Sequence, residues 1–331
     1  MTFDRKLMVA AIDAAAAVRT STAPNPWVGA AISLDGADVH VGATHPPGGV
    51  HAEIAAIGAA IDAGATVRGA TLATTLEPCC TTGRTGPCTE AIIDAGIARV
   101  LIGTEDPDPQ VSGRGIERLR SAGIKVDVGV ERAAVEEQLA PYLHHRRTGR
   151  PYVIVKLAAT VDGRTAAPDG TSQWITTDRA RTDGHRLRAE SQAILVGAGT
   201  VRADDPSLTV RLVEGTDPLR VVLGAAPADA AVRPCLEWRG DLPDLLDHLG
   251  GDGVLQLMVE GGANTAAQFQ AEGLVDRYVV YLAPAMFGGD DARPMFVGNG
   301  APTIDELPRG RFVAVRQLGD DLRLDLVVDS R

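Results

Sequence analysis

Two short segments hold residue types that together can activate water: His51-Ala52-Glu53, and Glu77-Pro78-Cys79-Cys80-Thr81-Thr82-Gly83-Arg84-Thr85-Gly86-Pro87-Cys88. Zinc favours tetrahedral coordination by imidazole nitrogen and thiolate sulfur. A catalytic zinc site keeps three protein ligands and leaves the fourth position to water. His51, Cys79 and Cys88 supply such a set. The two thiolates offset the charge of the ion, which lowers the pKa of the water towards ~7. A carboxylate must then accept the proton and re-deliver it, and Glu53 is the residue expected to do so.

The pattern carries more weight than its parts. A His-x-Glu pair is common by chance, and two cysteines alone could be buried thiols. In the order His-x-Glu then Pro-Cys…Cys they match the signature of zinc deaminases, with a wider cysteine spacing than the usual two residues. A structural zinc site would want a fourth protein ligand. Cys80 is the obvious candidate, but adjacent cysteines rarely bind one tetrahedral ion. Geometry sets one condition. Residues two apart on a regular helix point to nearly opposite sides. His51 and Glu53 can therefore share a site only if His51 stands at the very start of its helix, after the loop Pro46-Pro47-Gly48-Gly49. Cys88 likewise precedes a helix, whose positive N-terminal end favours a thiolate.

The elements that must position these groups follow from patterning. An Ala-rich helix spans 4–19 and stops before Pro24-Asn25-Pro26. Strands over 28–34 and 39–42 flank Asp35-Gly36. A helix over 51–63, a strand over 70–76, a helix over 89–95 and a strand over 100–103 follow. A basic, turn-rich stretch, 144–151, separates this half from a second. Strands there are expected at 152–158, 193–196, 219–223, 255–259 and 277–282, then a hairpin from 312 to 328. Strands alternating with helices imply α/β architecture with sheets covered on both faces. The expected division is a zinc deaminase domain over 1–145, a linker over 146–151 and a second α/β domain over 152–331. Gly197-Ala198-Gly199-Thr200 and Gly261-Gly262-Ala263-Asn264-Thr265 each follow a strand and open a helix, where glycines let backbone amides approach a phosphate.

Composition narrows the class. A chain of 331 residues suggests about two domains. A net charge of −11 and 4% aromatic residues argue against a nucleic-acid partner or an anionic membrane. There are four cysteines, and three of them cluster, which in a reducing compartment reads as a metal or catalytic site. The N-terminus carries no signal-peptide pattern, and no apolar run is long enough to span a bilayer, so a cytoplasmic setting is expected.

Further motifs extend the reading. Pro24-Asn25-Pro26-Trp27-Val28-Gly29-Ala30, His51-Ala52-Glu53 and the Cys79–Cys88 loop resemble the deaminase half of the bifunctional riboflavin-biosynthesis deaminase/reductase family. The second half resembles the reductase half of the same family, in Lys156-Leu157-Ala158-Ala159-Thr160-Val161-Asp162-Gly163-Arg164, Ser172-Gln173-Trp174, the run from Thr200 to Arg211, and Val259-Glu260-Gly261-Gly262. The resemblance implies a cytidine-deaminase-like N-terminal α/β/α domain and a dihydrofolate-reductase-like C-terminal α/β domain. It implies zinc-dependent hydrolytic deamination of a phosphorylated diamino-ribosylamino-pyrimidinone, then NADPH-dependent reduction of the ribosyl group to ribityl. Asn25, Lys156, Ser172, Arg188, Leu208, Arg211 and Glu260 then match substrate positions. Ala159, Trp174, Thr200, Asp204 and Gly262 match cofactor positions, and Asp162 lines the reductase pocket. A homo-oligomer, dimer or tetramer, is expected. Three departures stand out: Cys80-Thr81-Thr82 replaces the usual Ser-His and following residue, Gly86 replaces a Pro, and the 223–245 stretch is short, so that one cofactor-binding element is expected to be missing. A non-catalytic second half, or a different pyrimidine substrate, are the alternatives.

Overall fold

The computed structural model describes residues 1–81 and 86–328, so the expectations placed on Thr82, Gly83, Arg84 and Thr85 lie outside the described residues. The chain divides into two compact units, Met1–Gly149 and Arg150–Arg331.

The first unit runs α1 (Phe3–Ala17), β1 (Gly29–Ser33), β2 (His40–Ala43), α2 (Ala52–Asp62), β3 (Thr71–Leu76), α3 (Cys88–Asp94), β4 (Arg99–Thr104), α4 (Arg114–Ser121), β5 (Lys125–Val128), α5 (Arg132–Gln138) and α6 (Ala140–Thr148). Its strands form one sheet in the order β2-β1-β3-β4-β5. β1 is antiparallel to β2 and β3, while β3, β4 and β5 run parallel. Leu7, Met8, Ala11 and Ala15 form the buried stripe of α1. Two glycines let helices sit directly on strands. A Cβ on Gly29 would lie 1.9 Å from the Ala11 carbonyl oxygen of α1, and one on Gly42 would lie 2.2 Å from the Ala56 nitrogen of α2. Most of the basic stretch 144–151 is the end of α6, where His145, Arg146 and Arg147 complement the carbonyl end of the helix and left-handed Gly149 closes it.

The second unit runs β6 (Tyr152–Thr160), β7 (Arg164–Ala166), α7 (Asp178–Ala189), β8 (Ala193–Gly197), α8 (Ala198–Asp204), β9 (Leu219–Leu223), β10 (Leu236–Trp238), α9 (Leu242–Gly251), β11 (Gln256–Val259), α10 (Ala263–Ala271), β12 (Arg277–Ala283), β13 (Arg293–Pro294), β14 (Gly310–Leu318) and β15 (Asp321–Val328). The main sheet has the order β10-β9-β8-β11-β6-β12-β15-β14. It is parallel as far as β12, and β15 and β14 close it antiparallel. Val155, Leu195, Val221 and Leu257 from its strands meet Leu245 and Leu249 of α9 and Phe269 of α10 in the core. The stretch 223–245, expected to lack one element, holds a strand and the start of a helix: β10 pairs parallel with β9, and α9 follows with Pro243 in its first turn. The strand escaped notice because three residues carry no alternation.

Candidate functional site

In the first unit the three residues expected to ligate metal converge beyond the carboxyl end of β3, at the starts of α2 and α3. His51 is the N-cap of α2, with extended backbone (φ −80°, ψ 164°), so its ring turns away from the helical path and shares a site with Glu53 in the first turn. Cys88 is the first residue of α3, and Cys79 lies in the loop after β3. His51 Nδ1 stands 3.3 Å from Cys88 Sγ and 3.5 Å from Cys79 Sγ. The three donor atoms lie within 4.8 Å of one another. A tetrahedral ion with Zn–N of ~2.0 Å and Zn–S of ~2.3 Å places N and S about 3.5 Å apart, so this donor set fits zinc. Cys80 is not part of it; its sulfur is directed to the Gln110 carbonyl at 3.9 Å.

The electrostatics agree with that chemistry. Hydrogen bonding from Cys88 draws the Cys79 thiol down to about 4, against the cost of its burial. The Cys88 thiol is pushed up, by its bond to Cys79 and by burial. His51 is raised, mainly through its hydrogen bond to Cys79. Glu53 is 4% exposed, and burial together with the nearby Cys79 charge raises it to about 7, the range suited to a group that takes and returns a proton. Asn25 is half-buried; its backbone N–H bonds to the Thr22 carbonyl at 2.9 Å, and its amide makes no hydrogen bond among the described residues.

The second unit has a cleft of about 820 Å³ at the carboxyl ends of β6, β8 and β11, lined by Lys156, Ser172, Trp174, Thr200, Glu260 and Gly262 among others. That is where open α/β sheets bind ligands, and the volume suits one. Asp204 also lines it, on the exposed face of α8. The glycines pack closely here: a Cβ on Gly261 would lie 2.6 Å from Thr265 Cβ, and the Gly262 N–H donates to Thr200 Oγ1 at 3.2 Å. Trp174 is exposed, with the Arg181 guanidinium 4.4 Å from its ring centroid.

Glu260 is the hub. It accepts from Lys156 Nζ at 3.1 Å and from Arg188 at 2.8 Å. Burial alone would push its carboxyl up; the two cations overcome this and hold it at about 2. Arg188 is buried and also donates to the Thr209 carbonyl at 2.6 Å, which ties α7 to the segment carrying Leu208 and Arg211. Leu208 is buried with φ +54°, a strained conformation for a side chain of its shape. Arg211 is exposed and donates to Ser207 Oγ and Thr209 Oγ1. Arg188, Leu208 and Arg211 do not line the cleft itself, and neither do Ala159 and Asp162. Ala159 is fully buried on β6, and Asp162 is committed to a turn, accepting from Thr160 Oγ1 at 2.5 Å and from the Gly288 N–H at 2.8 Å.

Two residues without a role in the sequence reading prove structurally central. His185 sits three positions before Arg188 on α7, a spacing that shares a helix face and could have signalled it. Glu77 is a buried acidic residue directly after β3, whose six residues carry no charge.

The geometry agrees with the comparisons to known proteins. Residues 1–104 match the cytidine and deoxycytidylate deaminase zinc-binding region, and residues 151–324 match the RibD C-terminal domain. The riboflavin biosynthesis protein RibD of Escherichia coli K12 is 37% identical, covering 98% of this chain and 99% of that protein. The Bacillus amyloliquefaciens protein of the same name is 38% identical, covering 97% and 95%. Acinetobacter baumannii RibD superposes with a TM-score of 0.89 at 33% identity, covering 99% of both chains. The Thermotoga maritima diaminohydroxyphosphoribosylaminopyrimidine deaminase/5-amino-6-(5-phosphoribosylamino)uracil reductase gives 0.87 at 32% identity, again over 99% of both.

Proposed function

The chain belongs to the riboflavin biosynthesis protein RibD family of bifunctional deaminase/reductases, and on that premise we propose which residues carry each activity. The observation that carries the proposal is the cage of His51 Nδ1, Cys79 Sγ and Cys88 Sγ beside the buried carboxyl of Glu53.

His51, Cys79 and Cys88 hold zinc, making the first unit a hydrolase that acts on a cyclic amidine. Bound there, zinc brings the pKa of a water in its open position towards ~7 and so supplies a nucleophile at neutral pH. Glu53 would carry both protons of the water in turn: the first to the ring nitrogen of the phosphorylated diamino-pyrimidinone as the oxygen bonds to the amine-bearing carbon, the second to the amine as its bond to that carbon breaks. Its raised carboxyl can both accept and donate near neutrality. Asn25 holds the ring, since an amide both donates and accepts.

The cleft of the second unit would hold NADPH, which would supply the hydride that, together with a proton, reduces the ribosyl group to ribityl. Lys156, Ser172, Arg188, Leu208, Arg211 and Glu260 hold the substrate, with Arg188 and Glu260 also fixing the walls around it. Trp174, Thr200, Asp204 and Gly262, which line the cleft, serve the cofactor, and the buried Ala159 has no such part. The cleft at the strand ends supports this assignment.

The proposed setting is the cytoplasm; among the described residues no helix is long and apolar enough to cross a membrane. A dimer or tetramer is part of the proposal, for which β14 offers a sheet edge with Phe312 and Val315 exposed; light scattering tests it. Mass spectrometry of the products from the diamino substrate, with and without NADPH, tests the whole. Loss of the amine without NADPH, and a further gain of two hydrogens with it, is the expected result. Deamination with no reduction would leave the second unit a non-catalytic module.

A further inference from the structure

We infer that Glu77 is a positioning residue for the metal cage: its side chain fixes the backbone that presents Cys79. Glu77 is 3% exposed. Its Oε2 accepts the N–H of Asp106 at 3.3 Å and of Gly113 at 3.0 Å, and its Oε1 accepts the N–H of Ile116 at 3.1 Å. These donors belong to the segment that leaves β4 and begins α4. The first N–H groups of a helix have no partner within the helix and are usually met by the N-cap side chain. Here the N-cap is Gly113, which has none to offer. Glu77 supplies the acceptor from the end of another strand.

The same residue is held on its other sides. Its own N–H donates to the Thr104 carbonyl at 3.0 Å, at the end of β4. The approach to α4 is close: a Cβ on Gly115 would stand 2.2 Å from the Pro78 carbonyl oxygen. Only Pro78 separates Glu77 from Cys79, and its ring fixes φ. Beyond that step the Cys79 carbonyl accepts the Thr89 N–H at 3.2 Å, and Cys79 Sγ accepts the Cys88 N–H at 3.4 Å. A stiff two-residue strut therefore runs from the start of α4 to a metal-ligating sulfur. A cap that served α4 alone would affect stability and leave the coordination geometry untouched.

The inference rests on His51, Cys79 and Cys88 being zinc ligands. Metal analysis of the unmutated protein tests that separately, and a protein without stoichiometric zinc would end both readings. The direct test is the full-length Glu77→Gln variant. Whichever way its amide is turned, an NH₂ group must face a backbone N–H. Three quantities are compared with the unmutated protein: the rate of zinc loss to a colorimetric chelator, the visible ligand-field bands of the Co²⁺-substituted protein, and thermal unfolding of the metal-free form. The expected result is zinc loss faster by about 10- to 100-fold, the range typical of groups that orient metal ligands, together with altered Co²⁺ bands. Unchanged bands and an unchanged release rate, with only the metal-free form destabilised, would reduce Glu77 to a helix cap. If the variant does not fold, Gly115→Ala decides, since its Cβ would meet both the Pro78 carbonyl oxygen at 2.2 Å and Glu77 Oε1 at 3.1 Å and so press on the strut without changing either residue. Faster zinc release supports the strut, and an unmutated rate overturns it.

Discussion

His185 Nδ1 accepts the backbone N–H of Arg211 at 3.1 Å, so the ring holds the substrate-side segment only while that nitrogen is unprotonated. Burial and the neighbouring Arg188, Arg211 and Lys156 charges lower its pKa from 6.5 to about 4, with Glu260 opposing. Between those values the unfolded chain binds the extra proton. Stability is therefore full above pH ~6.5 and falls as pH drops towards 4, by on the order of 2–3 kcal/mol. Thermal unfolding across this range should show the slope, and His185→Asn, whose Oδ1 can accept the same N–H, should flatten it. An identical slope in the variant would count against the assignment. His144 in the first unit, also lowered to about 4, contributes a parallel slope that the variant leaves in place.

Glu53→Gln keeps the volume of the side chain and removes its proton-accepting oxygen. Deamination should fall about a hundred- to ten-thousand-fold while zinc content stays the same. Product assays and metal analysis on one preparation check both. A rate within a few fold of the unmutated enzyme, with zinc retained, would refute the proton-shuttle role.

Removal of zinc by a strong chelator should abolish deamination and leave NADPH oxidation with the deaminated substrate unchanged. Returning zinc should restore the lost activity. Loss of both activities together would contradict the separation of the two sites into two units.

Glu260→Gln leaves Lys156 and Arg188 as neighbouring cations without their shared counter-charge. Breaking such a largely buried pair costs about 3 kcal/mol. The second unit should lose that much stability, and the reductase rate should fall at least ~10-fold, with deamination unaffected. Denaturant unfolding and separate assays of the two reactions provide the measurement.

The longer strands were legible because apolar runs such as Ala193–Val196 and Leu255–Val259 carry their own signal, while the short β5, β7, β10 and β13 carry none; the His51, Cys79 and Cys88 cluster stood out because His and Cys are scarce in this chain. α7 was not. Its buried face is made of Asp183, His185 and Arg188 as well as Leu187, with Gly184 among them, so the apolar period that marks a core-facing helix is absent. Burial of polar groups is possible there because each meets a partner from a distant strand or loop, as Asp183 meets Tyr281 and Arg323. Glu77 stood in plain view in the motif. Its role depends on the missing side chain of Gly113, 36 residues away, and no local pattern encodes that.

The metal-ligating positions lie 28 and 37 residues from His51 along the chain and meet only because β1, β3 and the starts of α2 and α3 are already in place. An ion held there would bind the assembled unit and not the extended chain, whose three donors are scattered. Its binding energy would therefore add to the stability of the first unit, by an amount that grows with the concentration of free zinc.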